Sequence, residues 1–145
     1  MDSLHLNNQL CFPIYALSRQ MTALYRPHLD KMGLTYPQYL VMLALWEHET
    51  VSVKKLGNLL WLDSGTLTPL LKRMEENELL SRSRSKTDER VVNISLSDKG
   101  KTLRESAKDL PDLLKQQLEN DGVQLEQLRA QLQQLLAVTT AQCKL

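Results

Sequence analysis

Two groups of residues in this chain have types and spacings that support chemistry. The first is a single thiol. Cys11 lies in the stretch NNQLCFPIYALSRQM, residues 7–21, which holds no His, Asp or Glu to serve as base or metal partner. Near a helix N-terminus a thiol meets unpaired N–H groups and partial positive charge, which favour the thiolate, its nucleophilic form. Tyr15, four residues on, falls on nearly the same helical face. Two readings stay open on the residues alone: a small buried hydrophobe, the common fate of a free Cys, or a redox centre.

The second group is cationic. The stretch RSRSKTDER carries Arg82, Arg84, Lys86 and Arg90, with Asp88 two residues before Arg90. Just upstream, SGTLTPLLKR supplies Ser64, Thr66, Thr68, Lys72 and Arg73. Small polar residues at a helix N-terminus approach phosphates and base edges closely, where the helix dipole adds anion affinity. Arginine at the tip of a hairpin enters a minor groove, whose potential is negative. Asp88 is placed to hold the Arg90 guanidinium by a bidentate pair. Double-stranded DNA is the expected partner. The plain competitor is a solvated basic hairpin.

The elements that must position these residues are mostly helices. Apolar periodicity predicts a first helix over Leu10–Asp30, with Pro13 in its first turn and Gly33 beyond its end. Thr35 with Gln38 forms a capping box for a second helix, with Pro37 in its first turn. Ser52 caps a short third helix, VKKLGNLLW, and Asp63 or Ser64 a fourth, GTLTPLLKRMEENE. Leu67, Leu70, Leu71 and Met74 of the fourth recur at helical spacing and should face the core. LLSRSRS and RVVNISLS then read as two strands of a hairpin with KTDE at its tip. Ser97 caps a fifth helix from Asp98 to about Glu119, which Pro111 should kink or interrupt. After NDG, Leu125, Leu128, Leu132 and Leu135 give a sixth helix a seam for pairing with another helix. Two short helices, a tight turn and a basic hairpin make a winged helix-turn-helix. The expected fold is therefore mainly α with a small β-hairpin wing.

Composition agrees with a folded domain. The chain has 145 residues, 42% hydrophobic and 24% charged, with a net charge of +1. That length buries a core without staples and fits one domain, 1–145. No run of about 18 apolar residues spans a membrane, and MDSLHLNNQL lacks the basic and apolar regions of a signal peptide. A cytoplasmic location is expected, with no membrane partner. Charge is distributed as −1 over residues 1–53, +2 over 54–90 and 0 over 97–145. His5, His28 and His48 have no ligand spacing, so neither a metal nor a cofactor is expected. A thiol peroxidase would require a strand-helix-strand scaffold that no segment suggests.

The segment LGNLLWLDSGTLTPLLKRMEENELLSRSRSKTDERVVNISLSDKG resembles the core signature of the MarR (multiple antibiotic resistance regulator) family. The wing pattern DxRxxxIxLTxxG appears here as Asp88, Arg90, Ile94, Leu96, Ser97 and Gly100. The resemblance implies a homodimer with interlocked N- and C-terminal helices that binds a pseudo-palindromic operator and represses. Residues 1–34 and 98–145 would form the dimerisation region and 35–97 the DNA-binding region.

The N-terminal half is similar to the OhrR branch, the organic hydroperoxide resistance regulators, whose sensing Cys lies in a sequence like NQLCF. Cys11 aligns with that residue. Tyr25 and Tyr36 match tyrosines that hydrogen-bond the sensing sulfur, some from the partner subunit, and Tyr15 matches a third. Phenols donate to sulfur and stabilise its anion without adding a base. Leu10, Phe12 and Ile14 would suit a hydrophobic peroxide. The resemblance implies binding when reduced and release when Cys11 is oxidised by an organic hydroperoxide to a sulfenic acid. Cys143 is left either as a spectator or as a second thiol bridging to Cys11. A low-molecular-weight thiol is the other partner for the oxidised sulfur. The alternative regulator is one released by a small aromatic ligand, and a third reading is a dimeric scaffold without DNA.

Overall fold

Thr35 and Gln38 start the helix on which the rest of the chain is built. In the computed structural model, which describes residues 3–119 and 123–143, the Thr35 N–H donates to Gln38 Oε1 at 2.8 Å. The helix that follows, α2 (Tyr36–His48), buries Gln38, Tyr39, Val41, Met42, Ala44 and Leu45. A helix buried nearly all round belongs at the centre of a domain.

Before it runs α1 (Cys11–Lys31), preceded by a short 3-10 turn at Leu6–Asn8 that the sequence did not announce. Leu10 at its N-cap has no side-chain acceptor to offer. At the other end Gly33 takes φ +67°, and Leu34 N–H returns to the Leu29 carbonyl at 3.0 Å. Gly accepts that left-handed turn without a Cβ clash. Along α1 only Leu29 is buried. Leu10, Phe12, Ile14, Tyr15 and Leu17 remain exposed in its first half and just before it.

After α2 comes β1 (Thr50–Ser52), then α3 (Val53–Leu60), capped as expected by Ser52, which accepts from Lys55 N–H at 3.1 Å. Trp61 leaves α3 in the left-handed region at φ 56°. Of the two candidate caps for α4 (Ser64–Glu76), Asp63 serves: its Oδ1 accepts from Thr66 N–H at 2.9 Å. Leu67, Leu71 and Met74 are buried, and Leu70 packs half-buried against the core.

The wing is β2 (Leu80–Arg84) and β3 (Val92–Leu96). It is not a two-stranded hairpin alone. β1 adds antiparallel to β3, so the sheet is three-stranded with order β1-β3-β2. A strand of three residues ahead of a helix cap is too short to show alternation. Ile94, at the centre of β3, is fully buried and faces Val51 on one side and Arg82 on the other.

The expected fifth helix is interrupted rather than kinked. It divides into α5 (Asp98–Ala107) and α6 (Leu110–Leu118), with Pro111 in the first turn of α6, where its missing N–H costs nothing. α7 (Leu125–Cys143) then carries the anticipated leucines. Leu125, Leu128 and Leu135 are half-buried and Leu132 is exposed; no residue of α7 whose side chain is described is buried.

Candidate functional site

The basic constellation gathers around a cleft of about 620 Å³ between α3, α4 and the wing, lined among others by Lys54, Ser64, Thr68, Arg82 and Arg90. The buried row Leu67, Leu71 and Met74 turns the other side of α4 to solvent, and Ser64, Thr66, Thr68, Lys72 and Arg73 are all exposed there. They divide between two edges of that face. Ser64, Thr68 and Lys72 follow one another at four-residue spacing along the cleft side, whereas Thr66 and Arg73 lie on the far edge. The Thr66 hydroxyl is engaged, since it donates to Asp63 Oδ2 at 3.0 Å. Its bonds to Asp63, with the Thr66 N–H as the largest influence, hold the Asp63 carboxyl below the ordinary range.

The wing cations do not behave alike. Arg84 and Lys86 are exposed, and Arg90 is 93% exposed. Asp88 holds Arg90 through one oxygen rather than as a bidentate pair: Oδ1 accepts the Arg90 backbone N–H at 3.0 Å and Nε at 3.4 Å. Arg82 departs from expectation. It turns back to α4, where Nε donates to Glu75 Oε2 at 2.8 Å, Nη2 lies 2.7 Å from the same oxygen, and the Arg82 backbone N–H donates to Glu75 Oε1 at 3.0 Å. The Arg82 side-chain bond, first among its contacts, holds the Glu75 carboxyl below the usual carboxylate range.

The wing pattern has a structural basis. Ser97 Oγ accepts the Gly100 N–H at 3.0 Å and donates to the Glu78 carbonyl at 2.5 Å. A Cβ on Gly100 would lie 2.2 Å from the Leu79 carbonyl oxygen, so only Gly fits. The Gly100 carbonyl accepts from Trp46 Nε1 at 2.9 Å, which ties the base of the wing to α2.

Cys11 stands in the first turn of α1 with its side chain exposed. Tyr15 is exposed nearby, and the Arg19 guanidinium lies 5.6 Å above its ring. Tyr25 and Tyr36 are together but remote from this thiol. Their ring centroids are 4.9 Å apart, and Tyr39 joins both at 5.7 and 6.3 Å. Cys11 and Tyr25 share one helix and are about 21 Å apart along it at 1.5 Å per residue. Within one chain, then, only Tyr15 of the three predicted phenols neighbours the sulfur. Burial pushes the Tyr25 phenol up; burial, then the neighbouring Tyr25, pushes Tyr36 up; and burial with both neighbours pushes Tyr39 up to about 12. All three therefore stay protonated donors near neutrality. Cys143 closes α7, but its side chain lies outside the described residues.

Sequence reasoning overlooked Tyr39, Trp46 and Glu75. Tyr39 follows Tyr36 by three residues and shares its helical face, a signal that was present. Glu75 and Arg82 meet across a helix–strand turn, which no local pattern reveals. Among the described residues no group of His, Cys, Asp or Glu could hold a metal, and no helix is long and apolar enough to cross a membrane.

Comparison with known proteins adds to this geometry. The family described as "Transcriptional regulator SarA/Rot" matches residues 23–106. The chain is 54% identical over 135 residues to the organic hydroperoxide resistance transcriptional regulator of Bacillus subtilis (strain 168), across 93% of this chain and 92% of that relative. Among solved structures, reduced AbfR bound to DNA superimposes with a TM-score of 0.82 at 32% identity, across 97% of this chain and 96% of that one. Disulfide-formed AbfR superimposes less closely, with a TM-score of 0.66 at 37% identity, across 90% and 92%. AbfR is a protein of Staphylococcus epidermidis.

Proposed function

The chain belongs to the MarR-type transcriptional regulators, on the branch of the organic hydroperoxide resistance regulators, and from that premise we propose that it is a redox-sensing, DNA-binding repressor. The reduced homodimer holds a pseudo-palindromic operator, and oxidation of Cys11 by an organic hydroperoxide releases it. The observation that carries this reading is the exposed Cys11 thiol at the start of an apolar helix half that the chain itself leaves uncovered.

A second copy laid against α1 and α7 would cover Leu10, Phe12, Ile14, Leu17, Leu132 and Leu136. It would also be the source of phenols for the sulfur, because Tyr25 and Tyr36 of the same chain are out of reach. Residues 1–34 and 98–145 would then make the dimer and residues 35–97 the DNA-reading part. In that part α4 would enter a major groove through Ser64, Thr68 and Lys72, with Thr66 and Arg73 at its other edge. Arg84, Lys86 and Arg90 of the wing would reach phosphates or a minor groove, Arg90 steadied by Asp88. The superposition on reduced AbfR bound to DNA supports the DNA-binding part of the reading.

In the chemical step the Cys11 thiolate attacks the terminal oxygen of the hydroperoxide. An S–O bond forms and the O–O bond breaks; the peroxide is reduced to an alkoxide that takes up a proton, and the sulfur becomes a sulfenic acid. A second thiol then condenses with it, expelling water to give a disulfide. That thiol is Cys143 of the other copy or a low-molecular-weight thiol. The new polar or bulky group no longer suits the apolar seam, and a small shift spoils the half-site spacing of about 34 Å.

Titration of a duplex operator with reduced and organic-hydroperoxide-treated protein tests the reading. Wild type should lose at least about ten-fold in affinity on oxidation, about 1.4 kcal/mol, whereas Cys11→Ser should bind normally and ignore the oxidant. Equal release of Cys11→Ser by the oxidant would overturn the reading, and release of that variant by a small aromatic compound would favour the ligand-triggered alternative. Repeated turnover of peroxide with added reductant would instead favour an enzyme.

A further inference from the structure

Of the basic side chains at the wing, Arg82 alone spends its guanidinium on a bond with another element. Glu75, in the last turn of α4, accepts the Arg82 Nε–H on one oxygen, which Nη2 also approaches to 2.7 Å, and the Arg82 backbone N–H on the other. A single carboxylate thus fixes both the side chain and the main chain of β2. The other edge of β2 is held by the sheet, in which Arg82 stands directly across from the buried Ile94 of β3. Side-chain exposures of 32% for Arg82 and 35% for Glu75 mark a half-buried pair, against 93% for Arg90.

We propose that Glu75 and Arg82 are positioning residues that lock the wing at a set angle to the recognition helix, and that Arg82 is not a phosphate ligand. This rests on the DNA-binding reading above. A cation already neutralised by a carboxylate releases little counterion on meeting DNA, so it should not contribute to the salt dependence of binding. Its contribution is geometric: α4 and the wing must meet adjacent grooves together, and the pair sets the angle between them. Lysine cannot replace arginine in that role, since a single ammonium does not present the two adjacent, rigidly held nitrogens that meet Glu75 Oε2.

The test is a duplex-binding titration of the full-length dimer over a range of potassium chloride concentrations, with urea melts to establish that each variant is folded. Arg84→Ala should flatten the slope of log affinity against log salt by about 1. Arg82→Ala should weaken binding about five-fold, the range of a partly exposed pair, while keeping the wild-type slope. Arg82→Lys should weaken it to a similar extent, and it carries the test by itself if the alanine variant does not fold. Glu75→Ala/Arg82→Ala should bind no more weakly than Arg82→Ala. The proposal is overturned if Arg82→Lys binds like wild type, or if Arg82→Ala flattens the slope by about 1. Wild type without salt-dependent binding would remove the DNA-binding reading itself, an outcome distinct from either of these.

Discussion

At the scale of single residues, three tyrosines from two helices have gathered and lost water. Tyr25, Tyr36 and Tyr39 pack ring against ring, with Tyr39 also edge-on to Trp46 at 6.2 Å. Their folded-state pKa values lie above those of the unfolded chain. As pH passes the ordinary phenol value of about 10, the unfolded state therefore loses its phenolic protons first. The stability present below that pH should fall between about 10 and the value of about 12 that Tyr39 reaches. Chemical denaturation at stepped alkaline pH should show this decline, and Tyr39→Phe should make it shallower. The chemistry of this cluster was legible in part. Residue types and their resemblance picked out Cys11, Tyr15, Tyr25 and Tyr36, but the separation of the thiol from the buried phenols is a matter of helix rise. The bond of Arg82 to Glu75 was not legible for a related reason: its partner lies on another element.

At the scale of elements, the root of the wing is the most tightly specified junction. Ser97 caps α5 while its hydroxyl bonds the Glu78 carbonyl, Gly100 presses on Leu79, and Trp46 donates to Gly100 from α2. Gly100→Ala should destabilise the fold by more than about 3 kcal/mol, as overpacking against backbone cannot be relieved by a rotamer change. Urea unfolding would measure it, and a loss under about 1 kcal/mol would contradict the close approach. Caps were readable in the sequence wherever a polar side chain stood at the boundary, as at Ser52, Asp63 and Ser97. The strand β1 was not, because three residues carry too little pattern and its pairing with β3 joins distant segments. The break between α5 and α6 was half-visible through Pro111.

At the scale of the whole molecule, the core built on α2 is complete in one chain, but α1 and α7 are not. Leu132 and Leu136 are 38% and 41% exposed on a helix without buried side chains among those described. Leu132→Lys/Leu136→Lys should convert the dimer to monomer in analytical ultracentrifugation and weaken operator binding by at least ten-fold, since half-site affinities then no longer combine. The wild-type melting temperature should rise with protein concentration, as linkage requires. Retention of a dimer in the double variant would place the seam elsewhere. The leucine spacing of α7 was evident in the sequence; what lay beyond it was that, among the described residues, the fold leaves Leu132 exposed and Leu125, Leu128 and Leu135 only half-buried. This uncovered helix also bears on how much regulator a cell keeps. A copy without a mate would leave the apolar side chains of α7 and of the front of α1 in water, and proteases cleave such weakly held segments most readily. Surplus single copies would be cleared faster than paired ones, so the abundance of the repressor would be trimmed by its own pairing equilibrium.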